Sequence, residues 1–261
     1  MEKSPDNIYK SDEIIKEEKD RLKNIEWPSF VSLEVVGENV SGRTILDLGA
    51  GPNITMNDFA KEHGASYVAF DMVHDFSKEQ KNNEADAVRG AVEGLPFKNG
   101  SADIVHTRFV LMHLSPEARE RAIKEAIRTS KGKCIFIEYD WGTFHGGENI
   151  NHFRDLAISF LQQKGIDPFM GAILKNEIEN SLSGQEAEVK ENRFHRENGD
   201  YYRELMPLIQ SIKKAAEQTG DVELVKKFSI LENKINNDSQ ESSPGGFIPP
   251  DLVVVEVELN H

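Results

Sequence analysis

The chain has a single cysteine in 261 residues, Cys134, so no disulfide can form within it. That scarcity fits a reducing compartment, and a cytoplasmic protein is expected. Cys134 sits in the apolar run Cys134-Ile135-Phe136-Ile137, where a thiol is expected to fill core space rather than act as a nucleophile. No apolar stretch approaches the roughly 20 residues that span a bilayer, and no signal peptide is visible, so neither a membrane span nor export is expected. Basic residues are also scarce: 31 Lys and Arg stand against 45 Asp and Glu, a formal net charge of −14. A broad surface for nucleic acid or an anionic membrane is thereby disfavoured. The small basic spot Arg193, His195 and Arg196 is the exception. At 38% hydrophobic and 29% charged, the chain can still bury a core, and its length suits one α/β domain with an added cap or two small domains.

What is present centres on Thr44-Ile45-Leu46-Asp47-Leu48-Gly49-Ala50-Gly51-Pro52-Asn53. The apolar residues read as a buried strand, and Gly49 and Gly51 as a tight turn that lets backbone approach a ligand. Ile54 to His63 is expected to form a helix that Gly64 stops. Tyr67-Val68-Ala69-Phe70-Asp71 then reads as a second buried strand ending in an acid, about twenty residues past the turn. In Rossmann-like folds an acid there accepts hydrogen bonds from ribose hydroxyls, so a nucleoside-containing cofactor is expected.

A dinucleotide site wants a third glycine three residues after the second, and that position is Ile54. Asp47-x-Gly49-x-Gly51 instead resembles the first motif of the class I S-adenosyl-L-methionine-dependent methyltransferases, with Asn53 where a third glycine is common. The segment from Gly90 to Asp103, with Glu93, Leu95-Pro96-Phe97 and Ser101, is similar to the family's "G-D-A-E-x-L-P-F-x-x-x-S-F-D" passage beside the adenine. It departs at Ala91, where the family usually has an acid; Asp86, Glu93 or backbone groups are the substitutes considered. Leu111-Met112-His113-Leu114 resembles the family's "L-x-H-L" segment after the fourth strand.

The resemblance implies an α/β fold: a Rossmann-like, seven-stranded, mostly parallel sheet with an antiparallel last strand inserted beside the fifth and sixth, plus a helical lid. It implies Asp47, Gly49, Gly51, Asp71, Met72, Ala91, Val92, Glu93, Thr107 and Arg108 as cofactor-binding residues, Asp47 holding the cofactor's amino end and Thr107 and Arg108 its methionine part. The product would be S-adenosyl-L-homocysteine.

Around this core, residues 1–42 are expected to carry a helix over Ser11–Asn24, either a solvated N-terminal helix or a flap over the cofactor with Tyr9 or Trp27 reaching inward, and Tyr9 is a candidate substrate contact. A polar helix is expected over Phe76–Asn83 and a short strand at Asp86–Gly90. Ser115 and Pro116 mark the start of a helix to Thr129. Residues 43–195 make the core and 249–261 its last strand, Leu252 to Leu259. Between them, 196–248 form an insertion whose helices, Tyr201–Gln218 and Val222–Asn236, are expected to pack over the ligand crevice, with Asn237–Gly246 a loop.

The loop after the fifth strand, Glu138 to Gly147, has the acids, aromatics and glycines of a substrate pocket. Glu138, Trp141 and Phe144 are the candidate substrate contacts. If the acceptor must lose a proton, His145 is the first candidate base, with Asp140 orienting it and His113 in reserve; His113 otherwise reads as a cap of the next helix. Asp140 with Asn149 or Asn151 is too thin a set for a metal, and none is expected to be required. The reading is a methyltransferase acting on O or N of a small molecule. Two alternatives stand beside it. One is a protein of this fold that binds S-adenosylmethionine without transferring its methyl. The other is an NAD-dependent oxidoreductase, opposed by Ile54 and the lack of a Tyr-x-x-x-Lys pair. The oligomeric state is left open, a homodimer included.

Overall fold

The computed structural model describes residues 26–51, 54–72, 86–200, 204–241 and 247–260. Tyr9, the side chain of Trp27 and the helices expected over Ser11–Asn24 and Phe76–Asn83 lie outside what it describes. In chain order the elements are α1 (Glu26–Val36), β1 (Thr44–Leu48), α2 (Ile54–Glu62), β2 (Ser66–Asp71), β3 (Asp86–Arg89) and β4 (Ala102–Arg108). Then come α3 (Pro116–Thr129), β5 (Ser130–Asp140), α4 (Glu148–Gln163), α5 (Met170–Ser181), β6 (Ala187–Phe194), α6 (Met206–Glu217), α7 (Val222–Glu241) and β7 (Asp251–Leu259).

The strands form one sheet in the order β3-β2-β1-β4-β5-β7-β6. Every pairing is parallel except those of β7 with β5 and β6. The chain winds outward from β1 to β3, then crosses back to lay β4 on the other side of β1. That reversal opens a crevice at the carboxyl ends of β1 and β4, the place where open α/β sheets take ligands.

The central strands are apolar on both faces because helices cover both. One face packs Ile45, Ile104, Ile135, Ile137 and Val254 against α1 and α2. The other packs Leu46, Val105, Phe136 and Val253 against α3, α4 and α5. β6 closes one edge, and its Glu188, Lys190, Glu191 and Arg193 give that edge the charge that discourages pairing with another strand.

Helices α6 and α7 bury their apolar faces against α4: the Phe228 ring lies 6.0 Å from that of Phe153 and 6.3 Å from that of Phe160. Helix α7 also runs to Glu241, through residues expected to be a loop. Asn and Ser are poor helix formers by only tenths of a kcal/mol, and tertiary contacts override them. Here Asp238 accepts a hydrogen bond from Asn149 of α4 at 2.8 Å.

Candidate functional site

At the carboxyl end of β1 the backbone turns left-handed at Gly49 (φ 69°) and Gly51 (φ 52°). The turn is stapled to the end of β2: the Gly49 and Ala50 N–H groups donate to Phe70 O at 2.7 and 3.1 Å, and that of Gly51 donates to Asp71 Oδ2 at 2.8 Å. The two glycines serve different ends. A Cβ at Gly49 would lie 2.2 Å from Val110 Cγ2, so this residue lets the loop after β4 pack onto the turn. Around Gly51 no described atom lies within 4 Å of where a Cβ would sit, so its face of the turn opens onto the crevice.

Asp47 is not part of that open face. Its side chain points beneath the sheet, 2% exposed, where Oδ2 accepts from Tyr67 Oη at 2.8 Å and Oδ1 lies 2.8 Å from His106 Nδ1. His106 Nε2 in turn lies 3.3 Å from Ser32 Oγ on α1. This network assigns the ring proton to Nδ1, leaving Nε2 to accept from the serine hydroxyl. Burial opposes the charge on Asp47, but His106, Tyr67 and Arg108 outweigh it and hold the carboxyl below its ordinary value. Burial and the Asp47 charge together hold the Tyr67 hydroxyl well above its own. Asp47 is thus held in an internal network with Tyr67 and His106. Arg108 is likewise turned away, its Nη1 donating to Ser29 Oγ at 3.2 Å and Ser32 Oγ at 3.4 Å. Strand side chains alternate in direction, so Thr107 faces opposite to Arg108; it is 4% exposed, and its Oγ1 has no hydrogen-bond partner among the described residues.

Beyond β4 the chain passes through Phe109, a bulky residue held left-handed at φ 58°. Its N–H donates to Ile137 O at 2.9 Å and its ring stacks on Tyr139, 4.4 Å between centroids. Glu138, expected at the substrate, is instead 1% exposed. Its Oε1 accepts from the N–H groups of Val110, Leu111 and Met112 at 3.0, 2.7 and 3.4 Å, and Oε2 has no partner among the described residues. Burial pushes its carboxyl up to about 8, against the pull of those donors and of Arg119.

On the β3 side, Ala91 and Met72 are exposed, Val92 is buried and Glu93 half-buried. Asp86 begins β3 and so lies at the far end of that strand; of the two proposed substitutes for the missing acid, only Glu93 is on the crevice side.

The loop after β5 is held largely by contacts of its own. Asp140 Oδ2 pairs with Arg193 at 3.1 Å and Oδ1 accepts from the Gly142 N–H at 3.0 Å, so Asp140 does not orient His145. His145 is exposed, with Nδ1 2.7 Å from Thr143 O and its backbone bridged to Ile248. Trp141 and Phe144 are buried, and Phe144 packs edge-on against Trp141, Phe153 and Phe247 rather than walling a cleft. His113 ends a short 3₁₀ turn, and the cap of α3 is Ser115, whose Oγ accepts from the Ala118 N–H at 3.3 Å. Asn149 and Asn151 are engaged by Asp238 and by the Gly146 backbone. The basic spot is partnered: Arg193 by Asp140 and Glu191, His195 by Asp251, and Arg196 by Glu204.

Sequence reasoning missed Ser32, Tyr67, His106, Phe109 and Arg119. The pairing of Asp47 with His106 in register was the available signal, but it needs β1 and β4 to be known as neighbours.

Residues 46–137 match a family of methyltransferase domains. The chain is 30% identical over 129 residues to a sarcosine/dimethylglycine N-methyltransferase of Aphanothece halophytica, a match covering 46% of this chain and 41% of that protein. The chain thus spans less than half the length of this curated relative. Its fold is shared with a methyltransferase from an antibiotic biosynthesis pathway of Anabaena variabilis, at TM-score 0.60 and 15% identity over 85% of this chain and 94% of that one. It is also shared with a Haemonchus contortus phosphoethanolamine N-methyltransferase solved with S-adenosylhomocysteine, at TM-score 0.53 and 15% identity over 93% of this chain and 58% of that one.

Proposed function

We propose that this chain is a class I S-adenosylmethionine-dependent methyltransferase and that it methylates a nitrogen of a small-molecule amine. The observation that carries the reading is the Gly51–Asp71 unit: an open glycine turn locked by hydrogen bond to the acid at the end of the next strand. The residues present fit the cofactor, since the space beside Gly51 is clear of described atoms and half-buried Asp71 stands beside it.

When bound, S-adenosylmethionine supplies a methyl group already activated on a sulfonium sulfur. We assign Asp71 to the ribose hydroxyls, the Gly49–Gly51 backbone to the floor beneath the cofactor, and Met72, Ala91, Val92 and Glu93 to the adenine side. The protein's main tasks are then alignment and exclusion of water. An amine reacts through its lone pair, so an acceptor that arrives as an ammonium ion must lose a proton first. His145, exposed and held at Nδ1 by Thr143 O, is the residue proposed to take it through Nε2. The choice of nitrogen over oxygen is supported by the N-methyltransferase relative, and the class of small amine is drawn from the same match.

The test is incubation with S-adenosylmethionine and a panel of glycine, sarcosine, dimethylglycine and simple hydroxyl acceptors, followed by mass spectrometry. S-adenosylhomocysteine forming together with an N-methylated amine is the expected result. Turnover confined to hydroxyl acceptors would move the reaction to oxygen. Cofactor binding without any S-adenosylhomocysteine, whatever the acceptor, would favour the non-transferring alternative.

A further inference from the structure

The segment Phe109–Leu114 follows β4 directly and forms the side of the crevice against which Gly49 is packed, through Val110. It is not a relaxed loop. Phe109 holds a left-handed backbone that is strained for a bulky residue, and such a conformation persists only where its surroundings over-determine it. The surroundings do so from two directions. From β5, Ile137 O takes the Phe109 N–H, the Tyr139 ring stacks on the Phe109 ring, and Glu138 Oε1 gathers the next three N–H groups in succession, at Val110, Leu111 and Met112. From the helical side, Arg119, 3% exposed, donates to Leu111 O at 3.3 Å and Leu114 O at 3.4 Å, and the Asp167 N–H donates to Met112 O at 2.8 Å. Arg119 is itself fixed by Asp167 and by Glu177, at 3.2 and 3.6 Å.

An acid thus holds the segment's N–H groups while a base holds its carbonyls. A run of three consecutive N–H groups on one carboxylate oxygen is a demanding arrangement. It needs the carboxylate at one height above β5, and a side chain one methylene shorter falls about 1.5 Å short of it.

We infer that Glu138 is a positioning residue for methyl transfer: its reach, rather than its charge, holds the Phe109–His113 segment in the strained form that shapes the crevice beside Gly49. The inference rests on the cofactor reading above. Glu138 does not touch substrate or cofactor in this role; it acts through the loop and through the contact of Val110 with Gly49.

Reach and charge are separable by two conservative variants. Glu138→Gln keeps the reach and drops the charge, whereas Glu138→Asp keeps the charge and shortens the arm. Three measurements are compared in the full-length protein: the affinity for S-adenosylhomocysteine by calorimetry, hydrogen exchange at the amides of residues 110–112, and exchange in β1 and β7 as a control for global stability. The expected result is that Glu138→Gln stays within threefold of wild type in both affinity and exchange. Glu138→Asp is expected to lose at least tenfold in affinity and to exchange at least tenfold faster at 110–112, with β1 and β7 unchanged. The reverse order, with Asp tolerated and Gln impaired, overturns the inference, as does equal behaviour of the two variants. If wild type fails to bind S-adenosylhomocysteine, the cofactor reading falls, and the exchange rates decide the role of Glu138 alone.

Discussion

The Gly51 N–H donates to Asp71 Oδ2 at 2.8 Å, so the glycine turn of β1 and the acid of β2 form one unit rather than two neighbouring features. A change at either residue therefore acts on both.

Gly51→Val is expected to abolish binding of S-adenosylhomocysteine while the protein stays folded. The added side chain would occupy the clear space beside the turn and strain a backbone at φ 52°. Asp71→Ala is expected to weaken binding by roughly 1.5–3 kcal/mol, the scale of hydrogen bonds to a charged group. Calorimetric titration checks both; unchanged affinity in Asp71→Ala would remove the ribose assignment.

The network beneath the turn is a stability element. His106→Ala would leave Asp47 buried without its imidazole partner, and losing a hydrogen bond to a buried charged group costs roughly 1.5–3 kcal/mol. Tyr67→Phe, which removes one hydrogen bond to a charged group, should cost roughly 1.5–3 kcal/mol. Urea unfolding measures both, and a loss below about 1 kcal/mol in His106→Ala would mean that Asp47 is satisfied by other means.

Glu138 makes stability depend on pH in a defined direction. In the folded protein its carboxyl is raised from 4.5 to about 8, so between these values the native state keeps a proton that the unfolded chain has released. Stability contributed by this group is fully present below pH 4.5 and is lost as pH rises toward 8. Glu138→Gln removes that dependence. Its melting temperature relative to wild type should therefore climb steadily from pH 4.5 to 8, and a constant difference across that window would contradict the raised value.

Phe228 is the anchor of the helical excursion on α4, fully buried between Phe153 and Phe160. Phe228→Ala is expected to cost about 3–5 kcal/mol, the range for truncating a buried phenylalanine. Thermal or urea denaturation checks it. A loss under about 1 kcal/mol would show that α6 and α7 do not depend on this contact.

His145→Ala should lower turnover by about 10²–10⁴-fold, the usual contribution of a general base, with cofactor affinity nearly unchanged. Steady-state kinetics at saturating cofactor decide this, and a drop below threefold excludes His145 from proton transfer.

By itself the sequence determined the order of the elements, the glycine turn, the acid at the end of β2 and the limits of α3. These are local matters: an apolar run that must be buried, a residue that must turn left-handed, and a Ser–Pro pair suited to beginning a helix. It also carried the methyltransferase resemblance, because the turn and its acid lie close together in the chain. Tertiary structure alone decided where the polar side chains point. Asp47 and Arg108 share the face that α1 covers, and that became visible only once β4 was laid beside β1 with Asp47 opposite His106. Glu138 faces the loop after β4, Asp140 chose Arg193 over His145, and α7 continued because Asp238 found Asn149. A buried polar group must find a partner or bear a cost of a few kcal/mol, and the partners of Asp47 and Glu138 lie 20 to 59 residues away in the chain, beyond the reach of any local pattern.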